Sequence, residues 1–235
     1  MNETQVLLAT AATVAFTHTV LGPDHYVVFA AMGRARDWSL AKTLRVTLVC
    51  GLGHVLSSVV LGIVGIVAGS QLATLVGIEG MRGNLAGWAL IAFGLVYFAW
   101  GLKQAGRDRS HSHLHVHGDV VHDHRHTHHT KHAHVHSEGA GNAITPWAIF
   151  IIFVLGPCEA LIPLLMYPAA QHNGSLVLAV ALLFGCITLL TMLACVTLVL
   201  RGFERFRFAQ KGRYVHALAG AMVLGCGLLV SFAGM

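Results

Sequence analysis

A chain of 235 residues that is 55% hydrophobic and 11% charged, with a mean hydropathy of +0.68, has too little polar surface to wrap a soluble domain. Its apolar runs of about 20 residues are what bilayer-spanning helices require. The formal charge of +5 does not point to nucleic acid, because the basic residues flank the apolar runs, and no Gly-Lys-Ser/Thr phosphate-binding motif is present to suggest nucleotide hydrolysis.

Six spans can be drawn: Gln5–Met32, Thr43–Gly69, Leu85–Leu102, Ile144–Ala170, Ser175–Leu200 and Tyr214–Gly234. The expected fold is an all-α polytopic membrane protein with six transmembrane helices in a 3+3 inverted repeat, helices one and four being broken. Residues 1–102 form the first three-helix repeat, 103–143 a disordered His-rich cytoplasmic loop, and 144–235 the second repeat. The first run lacks a basic leader and outlasts a signal core, so no cleavable signal is expected.

Span one holds His18 and then Val20-Leu21-Gly22-Pro23-Asp24-His25. Proline removes a backbone donor and clashes with the preceding turn, so Gly22 and Pro23 should break the helix at depth. Span two carries His54 beside Gly51 and Gly53. Counting helix rise from Arg34 and Arg45 puts Asp24, His25 and His54 roughly 14 Å inside the charged boundary, near the middle of a core about 30 Å thick. His18, about two turns before His25, folds toward the same level if the break unwinds. Alone, His54 reads as a core histidine and Asp24-His25 as a helix-capping pair. Their common depth favours a shared ligand set.

Span three is glycine-rich, and Arg82 falls in the connection before it. The long segment that follows contains 12 histidines: His111, His113, His115, His117, His122, His124, His126, His128, His129, His132, His134 and His136. With almost no large apolar side chain it cannot offset its ordering entropy, and it should capture metal by composition rather than by geometry.

Span four repeats the phrase of span one as Val154-Leu155-Gly156-Pro157-Cys158-Glu159, at a constant offset of 134 residues. Gly156 and Pro157 should break this helix as Gly22 and Pro23 break the first. Paired interruptions in corresponding positions of two halves are a sequence pointer to a transporter's binding site. Cys158 reads equally as a ligand or a small packing residue; Glu159 reads as functional, because an unpaired intramembrane carboxylate is costly. In span five Thr188 takes the place that His54 has in span two and is a weak candidate. His172 reads as a solvated loop residue and His216 as interfacial. The five cysteines lie in apolar runs with no close-spaced motif, so no disulfide framework is expected.

The connections after spans one, three and five carry 14 of the 15 Lys and Arg. The positive-inside rule then places those loops in the cytoplasm and both termini outside the plasma (inner) membrane. Imidazoles with carboxylates, and one thiolate at most, suit nickel, cobalt or zinc better than Cu(I) or Mg²⁺. No organic cofactor and no enzymatic activity are expected. The expected partners are the bilayer and the metal ion, with a second copy of the chain or a metal enzyme as further candidates.

The run His18-Thr19-Val20-Leu21-Gly22-Pro23-Asp24-His25, together with Gly53-His54, resembles the nickel/cobalt transporter superfamily. That group includes nickel uptake permeases, nickel/cobalt efflux proteins with a His-rich cytoplasmic loop, and membrane UreH-type proteins placed near the TauE/SafE sulfite exporters. Its first-span signature is a histidine followed by Asp-His, and its second helix carries Gly-His. Here the spacing from His18 to Asp24 is one residue longer than in the uptake permeases, and there are six spans rather than eight. Both departures favour the UreH-like or efflux branch. The resemblance implies transport of nickel or cobalt, and the reading leans slightly to export. Three other readings stay open: an anion exporter of the TauE/SafE kind, a thiol-disulfide conduit like the cytochrome c biogenesis proteins, and a non-transporting partner that delivers metal to a nickel enzyme.

Overall fold

The computed structural model describes residues 2–107, 111–117, 120–126, 140–205 and 212–233. Its helices are α1 (Glu3–Leu21), α2 (Asp24–Ala35), α3 (Leu40–Val67), α4 (Leu72–Arg107), α5 (Ala140–Leu155), α6 (Leu161–Ala170), α7 (Gly174–Arg205) and α8 (Val215–Ala233). Among the described residues α1, α3, α4, α7 and α8 are long and apolar enough to cross a membrane, and α2, α5 and α6 are shorter. The chain is a helical membrane protein with several spans.

The short helices arise where the two Gly-Pro phrases interrupt the backbone. α1 closes with the Gly22 amide donating to the His18 carbonyl at 3.0 Å, and α2 restarts at Asp24 with no side-chain cap. The capping role weighed for Asp24 against the ligand reading is not seen. α5 stops at Leu155 and α6 begins at Leu161. Pro163 falls in the first turn of α6, where a missing amide leaves no bond unmade.

The span expected at Leu85–Leu102 begins earlier, at Leu72. Hydropathy drops around Glu79, Arg82 and Asn84, which read as a loop, yet Glu79 is wholly buried and pairs with Arg82 one turn on. Pairing inside the helix removes the reason for these charges to leave it.

α4 and α8 run antiparallel in close contact. Gly87 faces Ser231, Gly94 faces Leu224, and Gly101 faces Ala217; from α8, Gly220 faces Phe98 and Gly227 faces Ile91. A Cβ at Gly94 would lie 2.4 Å from the Leu224 backbone nitrogen, so the two backbones touch only because glycine recurs every seven residues along this face. In lipid, where apolar burial gives no driving force, such close approach is what holds helices together. α3 and α7 cross at Gly51 against Leu189 and at Gly185 against Val55. α1 packs on α7, α5 on α3, and α2 on α7 and α8.

Two apolar clusters fill the interior. One joins Val28, Phe29 and Met32 of α2 to Ile149, Ile152 and Phe153 of α5, Met192 and Val196 of α7, and Val223 of α8. It occupies the half of the bundle toward the turn at 36–39. The other joins Ala11 and Ala15 of α1 to Cys158, Leu161 and Leu165, and to Val180 and Phe184 of α7.

Between α4 and α5 the backbone of β1 (His111–His117) pairs antiparallel with β2 (Val120–His126), His113 opposite His124 and His115 opposite His122. This differs from the expected absence of regular structure. Alternation of histidine with another residue has the period of a strand, which admits such pairing without a hydrophobic core.

Candidate metal centre

The break between α1 and α2 sets the site. His18 sits in the last turn of α1 and His25 in the first turn of α2, and the Gly22-Pro23 interruption turns one ring toward the other, centroids 4.9 Å apart and edge to face. His54 enters from α3, its centroid 5.2 Å from that of His25. At 1.5 Å per residue His54 lies about 20 Å from either end of α3, so the cluster stands at mid-depth.

One ring nitrogen from each histidine lies within 4.8 Å of the others. Hydrogen bonds fix which nitrogen is free. Nδ1 of His25 lies 3.2 Å from the Gly22 carbonyl and 3.2 Å from Asp24 Oδ1; Nδ1 of His54 lies 3.3 Å from the Phe153 carbonyl. A carbonyl only accepts, so these partners assign the hydrogen to Nδ1 in both rings and leave the Nε2 lone pairs available. Nε2 of His18, His25 and His54 are all buried and have no hydrogen-bond partner among the described residues. Buried polar atoms are ordinarily satisfied, and three unsatisfied ring nitrogens side by side fit a metal ion. Ligation through Nε2 with Nδ1–H held by a carbonyl or carboxylate is how metal-binding histidines are oriented. Tetrahedral ligation puts nitrogens about 3.4 Å apart, so modest ring rotation closes the set.

Asp24 and Glu159 stand at the edge. With His18 and His25 they line a cleft of about 600 Å³ between the start of α4, the α5–α6 break and the end of α8. Asp24 keeps 21% of its side chain exposed, and Glu159 is exposed. Among the described residues no Lys or Arg lines this cleft.

The structure does not bring Cys158 into the three-histidine group. Its side chain is wholly buried in the α1–α6–α7 cluster, and what it offers toward the polar interior is its backbone amide, which donates to Glu79 Oε2 at 3.0 Å and to Ser58 Oγ at 3.2 Å. Thr188 is buried with its hydroxyl unpartnered. His172 is exposed in the turn before α7 with φ of 54°. His216, expected at the interface, has Nδ1 3.0 Å from the Tyr97 hydroxyl. For the loop histidines, His128, His129, His132, His134 and His136 lie outside the described residues, and the rest are placed by backbone alone.

Sequence reasoning missed Glu79 and Arg82. Arg82 pairs with Glu79 and donates to Ser57 Oγ at 2.6 Å, to the Val154 carbonyl at 2.8 Å and to the Gly156 carbonyl at 3.3 Å. The available signal was a glutamate and an arginine three residues apart among Gly77, Gly80 and Gly83, a spacing that gives one helix face small residues and an internal ion pair.

No protein-family model, curated protein or solved structure matches this chain.

Proposed function

We propose that this protein is a secondary transporter for a divalent transition metal, held at mid-depth by His18, His25 and His54. The observation that carries this reading is a group of three histidines beside a helix break, one ring nitrogen of each within 4.8 Å of the others, whose buried Nε2 atoms have no partner among the described residues. Nickel and cobalt come from the sequence resemblance, and imidazole donors suit both, with zinc also accommodated. Asp24 and Glu159 supply negative charge on the approach, which favours a cation over the anion alternative.

Access is one-sided. The cleft reaches the histidines from the end of the bundle where α4 begins and α8 ends. On the other side the Phe29 and Phe153 rings meet in a tilted contact at 4.6 Å, Phe153 lying edge-on to His54 at 6.2 Å, and Arg36 bonds Thr145 between the end of α2 and α5. The charge asymmetry of the loops makes the open side external and the His-rich segment cytoplasmic. Transport then requires the cleft to close and the Phe29–Phe153 contact to part, as in alternating access about a fixed site.

Six crossings in two inverted halves fit this mechanism. Under the 134-residue offset the contact of Gly51 with Leu189 becomes that of Gly185 with Val55, and both are made. The α4–α8 glycines follow a second offset of 126, Gly94 to Gly220 and Gly101 to Gly227. Exchangeable contacts of this kind are what a two-fold axis in the membrane plane produces.

Purified protein in liposomes, with Ni²⁺ or Co²⁺ flux read by an entrapped metal-quenched dye, tests the proposal. Metal-dependent quenching that His25→Ala abolishes is expected; equal flux in the variant would overturn it.

A further inference from the structure

Breaking a helix inside a membrane exposes carbonyls at one broken end and amides at the other, which lipid cannot satisfy. The two breaks solve this differently. At Gly22-Pro23 the gap is two residues wide, and the chain's own His25 Nδ1 reaches back to the Gly22 carbonyl. At 156–160 the gap is wider, and the solution comes from another helix. Arg82 of α4 donates to the carbonyls of Val154 and Gly156 at the end of α5, while Glu79, one turn earlier on α4, accepts from the Cys158 amide ahead of α6. A cation meets the carbonyl end and an anion meets the amide end, each matching the helix dipole it faces. Ser57 and Ser58 of α3 complete the network, Ser58 donating to Glu79 Oε2 at 3.3 Å and Ser57 Oγ accepting from Arg82.

We propose that the Glu79–Arg82 pair is the positioning element of the metal centre: by bridging both ends of the α5–α6 break it holds the Phe153 carbonyl against His54 Nδ1, and so keeps His54 Nε2 aimed at the metal. The inference rests on the three-histidine reading above.

The chain of contacts is short. Val154, whose carbonyl Arg82 grips, adjoins Phe153, whose carbonyl holds His54. A Cβ at Gly156 would come within 3.2 Å of His54 Nδ1, so the break segment lies directly on the ring. Gly83 is needed for the same reason from the other side, since a Cβ there would meet Pro157 Cγ at 2.8 Å. Neither Glu79 nor Arg82 lines the cleft that reaches the histidines. Both act through the break and not on the ion. A pair that served stability alone would be replaceable without changing how His54 binds metal.

The test uses the full chain with the 12 histidines from His111 to His136 changed to Gln, so that binding reports the interior site. Co²⁺ is titrated and its d–d absorption followed in the parent and in Arg82→Gln, Arg82→Lys, Glu79→Gln and His54→Ala. The parent should give the spectrum of a nitrogen-ligated ion, and His54→Ala should lose it. Arg82→Gln and Glu79→Gln should weaken Co²⁺ by about 10–100-fold, the usual effect of losing an outer-shell partner. Arg82→Lys, which keeps the charge but has one nitrogen in place of the two that meet Glu79 and the break carbonyls separately, should fall between. It also carries the test alone if the neutral variants fail to fold. Parent-like affinity and spectrum in folded Arg82→Lys and in the neutral variants that fold would overturn the positioning role while leaving the histidine site intact. Absence of Co²⁺ binding in the folded parent would overturn the histidine reading and this inference with it.

Discussion

Adding a single methyl group at Gly22 should damage the metal centre without touching the ion. Gly22 has φ of −84° and ψ of 95°, a conformation alanine adopts without strain. Its Cβ, however, would lie 2.5 Å from His25 Nδ1, 2.9 Å from His25 Cε1 and 2.9 Å from Asp24 Oδ1. Non-bonded carbon contacts settle near about 3.5 Å, so the His25 ring must retreat by about 1 Å. Metal–nitrogen distances tolerate only about 0.2 Å, and the same displacement breaks the bond from Nδ1 to the Gly22 carbonyl. Disturbing an outer-shell partner costs about 10–100-fold in metal affinity, equivalent to about 1.4–2.8 kcal/mol. Co²⁺ titration of Gly22→Ala, with the thermal midpoint measured alongside, reads both quantities. A folded variant with weakened Co²⁺ is expected. Parent-like affinity would refute the argument that His25 is fixed by the break.

Other substitutions probe the rest of the account. Phe29→Ala or Phe153→Ala should open the packed side beneath the histidines, raising metal leak through liposomes at rest; such truncations also cost about 3–5 kcal/mol of stability, and an unchanged leak would remove these rings from the barrier. Gly94→Val places a side chain against the Leu224 backbone nitrogen, which cannot yield, so the midpoint in detergent should drop by the equivalent of about 1–3 kcal/mol. A parent-like midpoint would mean that α4 and α8 do not touch there. Replacing all 12 loop histidines by Gln should reduce the total metal bound while leaving one tight site and liposome transport in place; loss of transport would make the loop part of the pathway.

The features legible in the sequence were those stated in residue types. Proline after glycine in an apolar run has few uses other than a break, so Gly22-Pro23 and Gly156-Pro157 were found together with the equal offset that relates them. His25 and His54 could be set at one depth by counting helix rise, because only a helix's length and not its packing enters that count; His18 joined them through the expected unwinding at Gly22-Pro23. Glu79 and Arg82 stayed hidden because hydropathy treats each charge separately. Two opposite charges three residues apart on one helix neutralise each other, and an average over the window reads the pair as a loop. Cys158 shows the opposite limit. Its place after Gly156-Pro157 matched Asp24 in the repeat, but the offset aligns backbones, and it is the Cys158 amide rather than its sulfur that meets the polar interior. The His-rich segment was read by composition, which ignored the period of two that lets residues 111–117 and 120–126 pair.

The central claim is that three histidines inside the bundle bind one metal ion. Its most direct test is equilibrium binding of Ni²⁺, Co²⁺ and Zn²⁺ to the purified full chain in which the 12 loop histidines are Gln, compared with the same protein carrying His25→Ala. One tight site per chain that disappears in the variant is predicted, and the ion it prefers names the cargo. A folded protein that binds none of the three ions, or binds them equally well without His25, would contradict the account.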